Sequence, residues 1–224
     1  AIIGAGPSLE EQLSHLKKNS EGTLLLSSDT AALFLVDNGI IPDYIISIDC
    51  QHITYNHFMD KRLFEIPLIM DLGSPSFLSR LFENRLYFTS ANPLSSFIAS
   101  SWRFFQFVDT FGGNVGYSAL SVAASIGISD ITMYGIDYSF INFKPYARDT
   151  FLYKYFYKKA DKLEPVDSSI YSFASSNNLY ETEKERVYSS RRMDFYHSSM
   201  AALIKSLPVS VKFAPHSPRK INSS

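Results

Sequence analysis

The residues of this chain best suited to chemistry lie in two glycine-bearing turns and in polar positions that close apolar runs. The first turn, Gly4-Ala5-Gly6-Pro7-Ser8, is entered by Ile2-Ile3 and left by a helical pattern of Leu9, Leu13 and Leu16. Glycine lets the backbone turn sharply and approach a ligand closely, and Pro7 suits the first turn of a helix. Ser8 adds a hydroxyl to helix-start N–H groups that favour an anion. A plain strand-to-helix corner would use the same residues. The second turn, Phe111-Gly112-Gly113-Asn114, precedes a run of small and apolar residues closed by Gly127, and offers another set of backbone amides. Polar residues gather where apolar runs end: Ser8, Asp29, Asp49, Asp71, Asn92 and, after Ile131 to Gly135, Asp137 and Tyr138. A single such residue is explained by capping or turn chemistry; together they predict a site along one edge.

The elements that must position these residues alternate strand, polar turn and helix. Strands are expected at residues 23–26, 44–48, 67–70, 85–89 and 131–135, with helices from Leu9, from Thr30 to Val36, from Phe77 to Leu81 and after Asn114. This alternation predicts an α/β fold, a mostly parallel sheet with helices on both faces, and in such sheets ligands bind at the carboxyl ends of the strands. From Ser139 the pattern changes. Residues 151–159 (FLYKYFYKK) are aromatic and basic, fitting a lid helix, a partner surface or a helix packed into the core. Residues 162–178 read as a mobile loop and Glu181 to Tyr188 as the start of a helix. Arg192 to Leu207 is helical and 208–213 a last strand. The expected organisation is residues 1–160 as the main domain, 161–213 as its lid loop, helix and final strand, and 214–224 as a flexible, Pro/Ser-rich tail.

Composition narrows the function classes. At 224 residues, 46% hydrophobic and 19% charged, the chain suits one folded domain. A net charge of -1 gives no general drive toward nucleic acid. The lone Cys50 excludes an intrachain disulfide framework and a multi-cysteine zinc site. Apolar runs fall short of the roughly 20 residues that span a bilayer, no signal peptide is visible, and a cytoplasmic location is expected. The chain starts without methionine inside a strand, as a domain of a longer protein would.

Two segments carry a family resemblance. Ile2-Ile3-Gly4-Ala5-Gly6-Pro7-Ser8-Leu9, with the block from Gly113 through Gly135-Ile136-Asp137-Tyr138 to Tyr146-Ala147-Arg148-Asp149-Thr150, resembles the nucleotide-binding segments of bacterial CMP-sialic-acid-dependent sialyltransferases. A closer resemblance, over about residues 1 to 160, is to the central domain of the motility accessory factor (Maf) family. It rests on the GAGPSL start, Gly39-Ile40-Ile41-Pro42-Asp43, the strand ending Ser47-Ile48-Asp49, and Gly112-Gly113-Asn114-Val115. The grouping includes 6-hydroxymethylpterin diphosphokinase-like (MptE-like) proteins. The resemblance implies a Rossmann-like, sialyltransferase-like fold with a C-terminal helical or lid segment. It also implies transfer of a CMP-activated nonulosonic acid onto Ser/Thr of flagellin or another surface acceptor, with no cofactor required. Gly4, Gly6, Pro7, Ser8, Asp29, Gly112, Gly113 and Asn114 would hold the nucleotide. Tyr146 matches the tyrosine that hydrogen-bonds the leaving phosphate, and Tyr138 falls near its second tyrosine at a different spacing. The sialyltransferase base is a histidine further along, where this chain reads Ser175-Ser176-Asn177-Asn178.

Such a transfer needs a stabilised phosphate leaving group and a proton acceptor for the attacking hydroxyl. Tyr146 and Arg148 are candidates for the first; a surface ion pair explains Arg148 equally. Asp49 and Asp137 are candidates for the second, His197 after them, while His52 and His57 read as ordinary loop or helix residues. A diphosphokinase would instead need carboxylates on Mg²⁺, and Asp29, Asp49, Asp71 and Asp137 are available. Against it, there is no Walker-type Gly-Lys-Ser/Thr, and Lys144 is the only lysine in the candidate nucleotide loops. A non-catalytic nucleotide- or protein-binding domain is the third expectation.

Overall fold

The computed structural model describes residues 1–50 and 52–221; Gln51 and the last three residues of the expected tail lie outside the described residues. In chain order the elements are β1 (Ile2–Ile3), α1 (Leu9–Asn19), β2 (Leu26–Ser28), α2 (Asp29–Asp37), β3 (Tyr44–Ser47), a 3-10 helix (His52–Phe58), β4 (Leu68–Asp71), α3 (Leu78–Leu81), β5 (Arg85–Phe88) and α4 (Pro93–Ser101). There follow α5 (Val115–Ser125), β6 (Asp130–Tyr134), β7 (Phe140–Ile141), α6 (Phe151–Tyr157), α7 (Val166–Ser175), β8 (Tyr180–Glu181), β9 (Val187–Ser189), α8 (Arg191–Ser206) and β10 (Ser210–Phe213).

Seven strands form one parallel sheet in the order β10-β6-β1-β2-β3-β4-β5. Alternation along each strand sends neighbouring side chains to opposite faces. Ile2, Leu26, Ile46 and Met133 bury against α5 and α8, with Leu120, Met200 and Ile204. Ile3, Leu25 and Tyr134 bury against α1 and α2, with Leu9, Leu16 and Leu35. Burial on both faces is why these strands read as short continuous apolar runs. Helices α2, α5 and α8 start on hydrogen-bonding caps: Ser28 Oγ accepts from Ala31 N (3.2 Å), Asn114 Oδ1 from Tyr117 N (3.0 Å) and Ser190 Oγ from Met193 N (3.4 Å).

The chain leaves β1 toward β2 and β5, then returns through α5 to β6 on the other side of β1, so the end of β1 is the topological switch point. There the two turns cross backbone against backbone. Gly4 N donates to Tyr134 O and Gly6 N to Gly135 O, both at 2.8 Å. A Cβ on Gly4 would stand 2.7 Å from the Gly135 carbonyl oxygen, and one on Gly6 2.6 Å from the Asp137 carboxyl carbon. Gly135 is the tightest: its φ is +59° and a Cβ would meet the Gly4 oxygen at 2.3 Å. Buried Gln12 locks the crossing, accepting from Gly135 N (2.8 Å) and donating to Pro215 O and Ser217 Oγ (2.8 and 3.0 Å).

The second half departs from expectation in three places. Residues 162–178 contain helix α7 rather than a mobile loop. Its serines face outward, while Ile170 and Ala174, one turn apart, are buried, and Ile170 packs on Leu152 and Tyr153 of α6. Residues 181–188 start no helix; β8 and β9 form a hairpin that adds β7 antiparallel. Arg186 turns it with φ +59°, and Tyr188 stacks on Phe143 at 4.1 Å. Finally, residues 214–221 do not fray: Ala214, Ser217 and Ile221 are buried, and Arg219 donates to Tyr138 O (3.0 Å) and Ser189 Oγ (2.9 Å).

The crossing predicts a stability difference between two left-handed glycines. Gly135→Ala should cost roughly 3 kcal/mol or more, by overpacking plus backbone strain. Gly127→Ala, at φ +86° with nothing within 4 Å, should cost only about 1 kcal/mol. Urea unfolding midpoints compare them; equal losses would contradict the close approach.

Candidate functional site

A cavity of about 300 Å³ opens at the carboxyl ends of the central strands, over the switch point. Its floor is the β1 turn (Gly4, Ala5, Gly6) against the β6 loop (Gly135 to Ser139). One wall is the β2–α2 corner with Ser28, Asp29 and Thr30, joined by Asp49 and His57. The other walls are the start of α5 (Asn114, Val115, Gly116), Pro145 and Tyr146, and Met193 and Tyr196 of α8. A second cleft of about 320 Å³ lies toward the start of β1 and the end of α5, but its lining is nearly all aliphatic and aromatic and offers no converging polar groups.

The two glycine turns divide differently from expectation. Gly4 and Gly6 line the cavity, whereas Ser8 is turned inward: its N–H donates to Asp137 Oδ2 (2.8 Å) and its hydroxyl to Asp137 Oδ1 (2.5 Å). The start of α1 is therefore filled by the chain's own carboxylate, and neither Pro7 nor Ser8 lines the cavity. Of the second turn, Asn114 reaches the cavity and caps α5. Gly112 and Gly113 do not line it; a Cβ on Gly112 would strike the Tyr117 ring at 2.1 Å, so packing accounts for that glycine. Val115 and Gly116, the first residues of α5, line the cavity, and helix-start amides have no intrahelical acceptor.

Asp29, Asp49, Asp137, Tyr138 and Tyr146 all line the cavity. Arg148 does not: it is exposed, donates its N–H to Glu10 Oε1 (2.8 Å) and pairs with Asp167 at 3.9 Å. The cation whose charge reaches the Tyr146 hydroxyl is instead Arg192, at the start of α8. Asp71 accepts from Gly73 N (2.6 Å) and Asn92 caps α4, so these two strand-end residues serve turns. His197 packs edge-on to the Tyr138 ring at 6.0 Å and is not part of the lining.

The tyrosine hydroxyls are built as neutral donors. Tyr138 is held at φ +48°, buried, with a hydroxyl that has no hydrogen-bond partner. That oxygen lies 3.7 Å from where a Cβ on Gly116 would stand, beside the start of α5. Burial pushes the Tyr138 hydroxyl far above its ordinary range, and burial followed by the charge of Asp29 pushes Tyr146 up. Both stay protonated at neutral pH.

His57, unsingled by the sequence reading, supplies the site's one imidazole among the described residues. Its Nδ1 is 3.4 Å from Asp29 Oδ2, an ion-pair distance rather than a short hydrogen bond. Asp29 is 1% exposed and also accepts from Ser47 Oγ (2.7 Å) and Thr30 N (2.7 Å). Burial pushes its carboxyl up, but the neighbouring His57 and the hydrogen bonds from Ser47 and Thr30 outweigh this and hold it below the usual carboxylate range. No local motif links Asp29 and His57; only the side-by-side register of β2 and β3 brings their following segments together.

Among the described residues no group of three or more His, Cys, Asp or Glu is arranged to hold a metal ion. The oxygens of Asp29 and Asp137 are engaged within the chain, and Asp71 is elsewhere, so the four expected carboxylates do not converge as a cation cage. No helix among the described residues is long and apolar enough to cross a membrane.

A seven-stranded parallel sheet, helices on both faces and a switch-point cavity define a Rossmann-like α/β domain. Within that class the chain belongs to the MptE-like family: residues 1–143 match the family described as 6-hydroxymethylpterin diphosphokinase MptE-like. Its fold is glycosyltransferase-like. The solved MAf glycosyltransferase from Magnetospirillum magneticum AMB-1 superposes with a TM-score of 0.65 at 16% identity, over 100% of this chain and 35% of that one. An uncharacterized protein of Treponema pallidum (strain Nichols) is 34% identical over 115 residues, 50% of this chain and 41% of that protein. A second protein of that organism is 39% identical over 54 residues, 24% of this chain and 26% of the other. The chain thus spans less than half the length of these relatives.

Asp137 makes a pH prediction. Burial, opposed by the two Ser8 hydrogen bonds, pushes its carboxyl from the ordinary 3.8 up to about 6. The folded protein then binds this proton more tightly than the unfolded chain. The resulting stability is full below about pH 4 and lost as pH rises through about 6, a change on the order of 3 kcal/mol. Urea midpoints of Asp137→Asn should lack that fall; an unchanged slope would contradict the assignment.

Proposed function

We propose that this domain transfers a sugar from a CMP-activated nonulosonic acid to a hydroxyl of a surface acceptor such as flagellin Ser/Thr. The observation that carries the reading is the unpartnered Tyr138 hydroxyl beside the open amides of α5. A leaving phosphate gains negative charge as the anomeric carbon–oxygen bond stretches, and preorganised donors in a partly closed site favour that state. The α5 amides and dipole supply the fixed positive end. Tyr138 adds a neutral hydroxyl, and Tyr146, with Arg192 acting on it, completes the surround on the opposite wall. The base and ribose would lie over the floor that Gly4 and Gly6 line. The glycosyltransferase-like fold agrees with this reading, and a cytoplasmic location would give access to CMP-sugars.

The family description favours a second reading, diphosphate transfer to a pterin with Mg²⁺. The residues fit it less well, because the carboxylates it needs are bonded internally or placed apart. Asp49 would have to hold the cation with the substrate phosphates.

Thermal shifts with CMP, CDP, CMP-sialic acid, GTP and ATP, each with and without Mg²⁺, separate the readings. CMP at about 100 times its Kd should raise Tm by roughly 5–10 °C without metal. Stabilisation only by a triphosphate with Mg²⁺ would overturn the transferase. Tyr138→Phe and Tyr146→Phe should each slow CMP release from CMP-sialic acid by about 10²-fold while changing CMP affinity far less. Full activity in either would remove that tyrosine from the mechanism.

A further inference from the structure

The proposed transfer needs a base, and Asp137, one of the carboxylates considered for it, is poorly placed. Asp137 is buried with both oxygens on Ser8. The cavity nevertheless contains an acid–imidazole pair. His57 lines it with a side chain 11% exposed, and Phe151 packs on the imidazole at 4.2 Å between ring centroids. Nδ1 stands 3.4 Å from Asp29 Oδ2 without a hydrogen bond in this structure; a small approach of the two would place the N–H on Nδ1 and leave the Nε2 lone pair for a ligand. Asp29 is itself fixed by Ser47 and Thr30, so the pair has the order of a base and its orienting carboxylate.

We propose that His57, oriented by Asp29, is the general base that takes the proton from the acceptor hydroxyl; this rests on the transferase reading above. The acceptor oxygen bonds to the anomeric carbon as that carbon's bond to the phosphate oxygen breaks. The bonding electron pair leaves with CMP, and the acceptor proton passes to His57 Nε2. The placement suits a displacement. Tyr138 and the α5 amides belong to the β6 side of the cavity, and His57 stands with Asp29 at the end of β2. Two strand spacings, about 10 Å, separate these walls and leave room for the sugar between them. The titratable and charged groups that face the imidazole's surroundings are Asp29 from α2, Asp49 from the segment after β3, Tyr146 from the segment before α6, and Arg192 of α8 acting on Tyr146.

The test measures CMP release from CMP-linked sialic, pseudaminic and legionaminic acids against pH, with water standing in as acceptor. In the wild-type protein kcat should fall on acidification, as it does for a reaction that needs an unprotonated base. His57→Gln should lose about 10²- to 10⁴-fold in kcat and lose the acid limb, with KM for the donor little changed. Asp29→Asn, which keeps the ring but loses its orienting charge, should fall between the two. The CMP thermal shift of His57→Gln should equal the wild type's. Retained activity with an unchanged pH profile in His57→Gln would overturn the base while leaving the transferase reading in place. Loss of CMP binding along with activity would make His57 a structural support and also overturn it. Absence of release by the wild-type protein with every donor would overturn both.

Discussion

The crossing of two backbone turns at the end of β1 is the constraint on which the rest of the structure depends. Gly4 and Gly6 donate directly to the carbonyls of Tyr134 and Gly135, leaving no space for a Cβ on any of the three glycines. This contact fixes where β6 ends relative to β1, and so where Asp137 and Tyr138 emerge. It also brings α1 close enough for Gln12 to bond both Gly135 and the segment after β10. The C-terminal residues become part of the site through it, because Arg219 holds the Tyr138 carbonyl.

A consequence is that the two helix starts in the site are not equivalent. Both carry the partial positive charge of unsatisfied amides. At α1 that field is met by Asp137, whose carboxyl accepts from the Ser8 amide and hydroxyl. At α5 the Asn114 side chain accepts from the Tyr117 amide and donates to the Gly112 carbonyl, and Val115 and Gly116 line the cavity. The glycines of the first turn thus serve close packing, while the proposed reading gives the anion to the second helix. No Lys or Arg is among the lining residues, so on the proposed reading backbone dipoles and neutral hydroxyls would carry the recognition of charge.

The central architecture was legible because its strands are short apolar runs ending in polar turns, as at Ile45-Ile46-Ser47 and Ile131 to Gly135. The resemblance over about residues 1 to 160 also pointed to the family that residues 1–143 match. The C-terminal third was harder to read. The buried period of α7 rests on only Ile170 and Ala174 amid serines, and the β8–β9 hairpin turns on Arg186 rather than on a glycine. Within the site, Asp29, Asp49, Asp137, Tyr138 and Tyr146 reach one cavity, as strand-end positions should. Arg148 took the surface ion pair that was the alternative for it, whereas the place of Ser8 was not readable locally, since it is decided by a distant partner, Asp137. His57 was missed for the same reason, its partner Asp29 lying on a different element.

The claim that the anion belongs to α5 and not to the glycine turn at α1 is open to one direct measurement. Backbone amide resonances followed by NMR during titration with CMP report each helix start separately. The account predicts that the Val115 and Gly116 amides shift most, with Gly4 and Gly6 perturbed by the neighbouring base and the Ser8 amide still held by Asp137. A large shift at Ser8 and Leu9 with Val115 and Gly116 unmoved would contradict it.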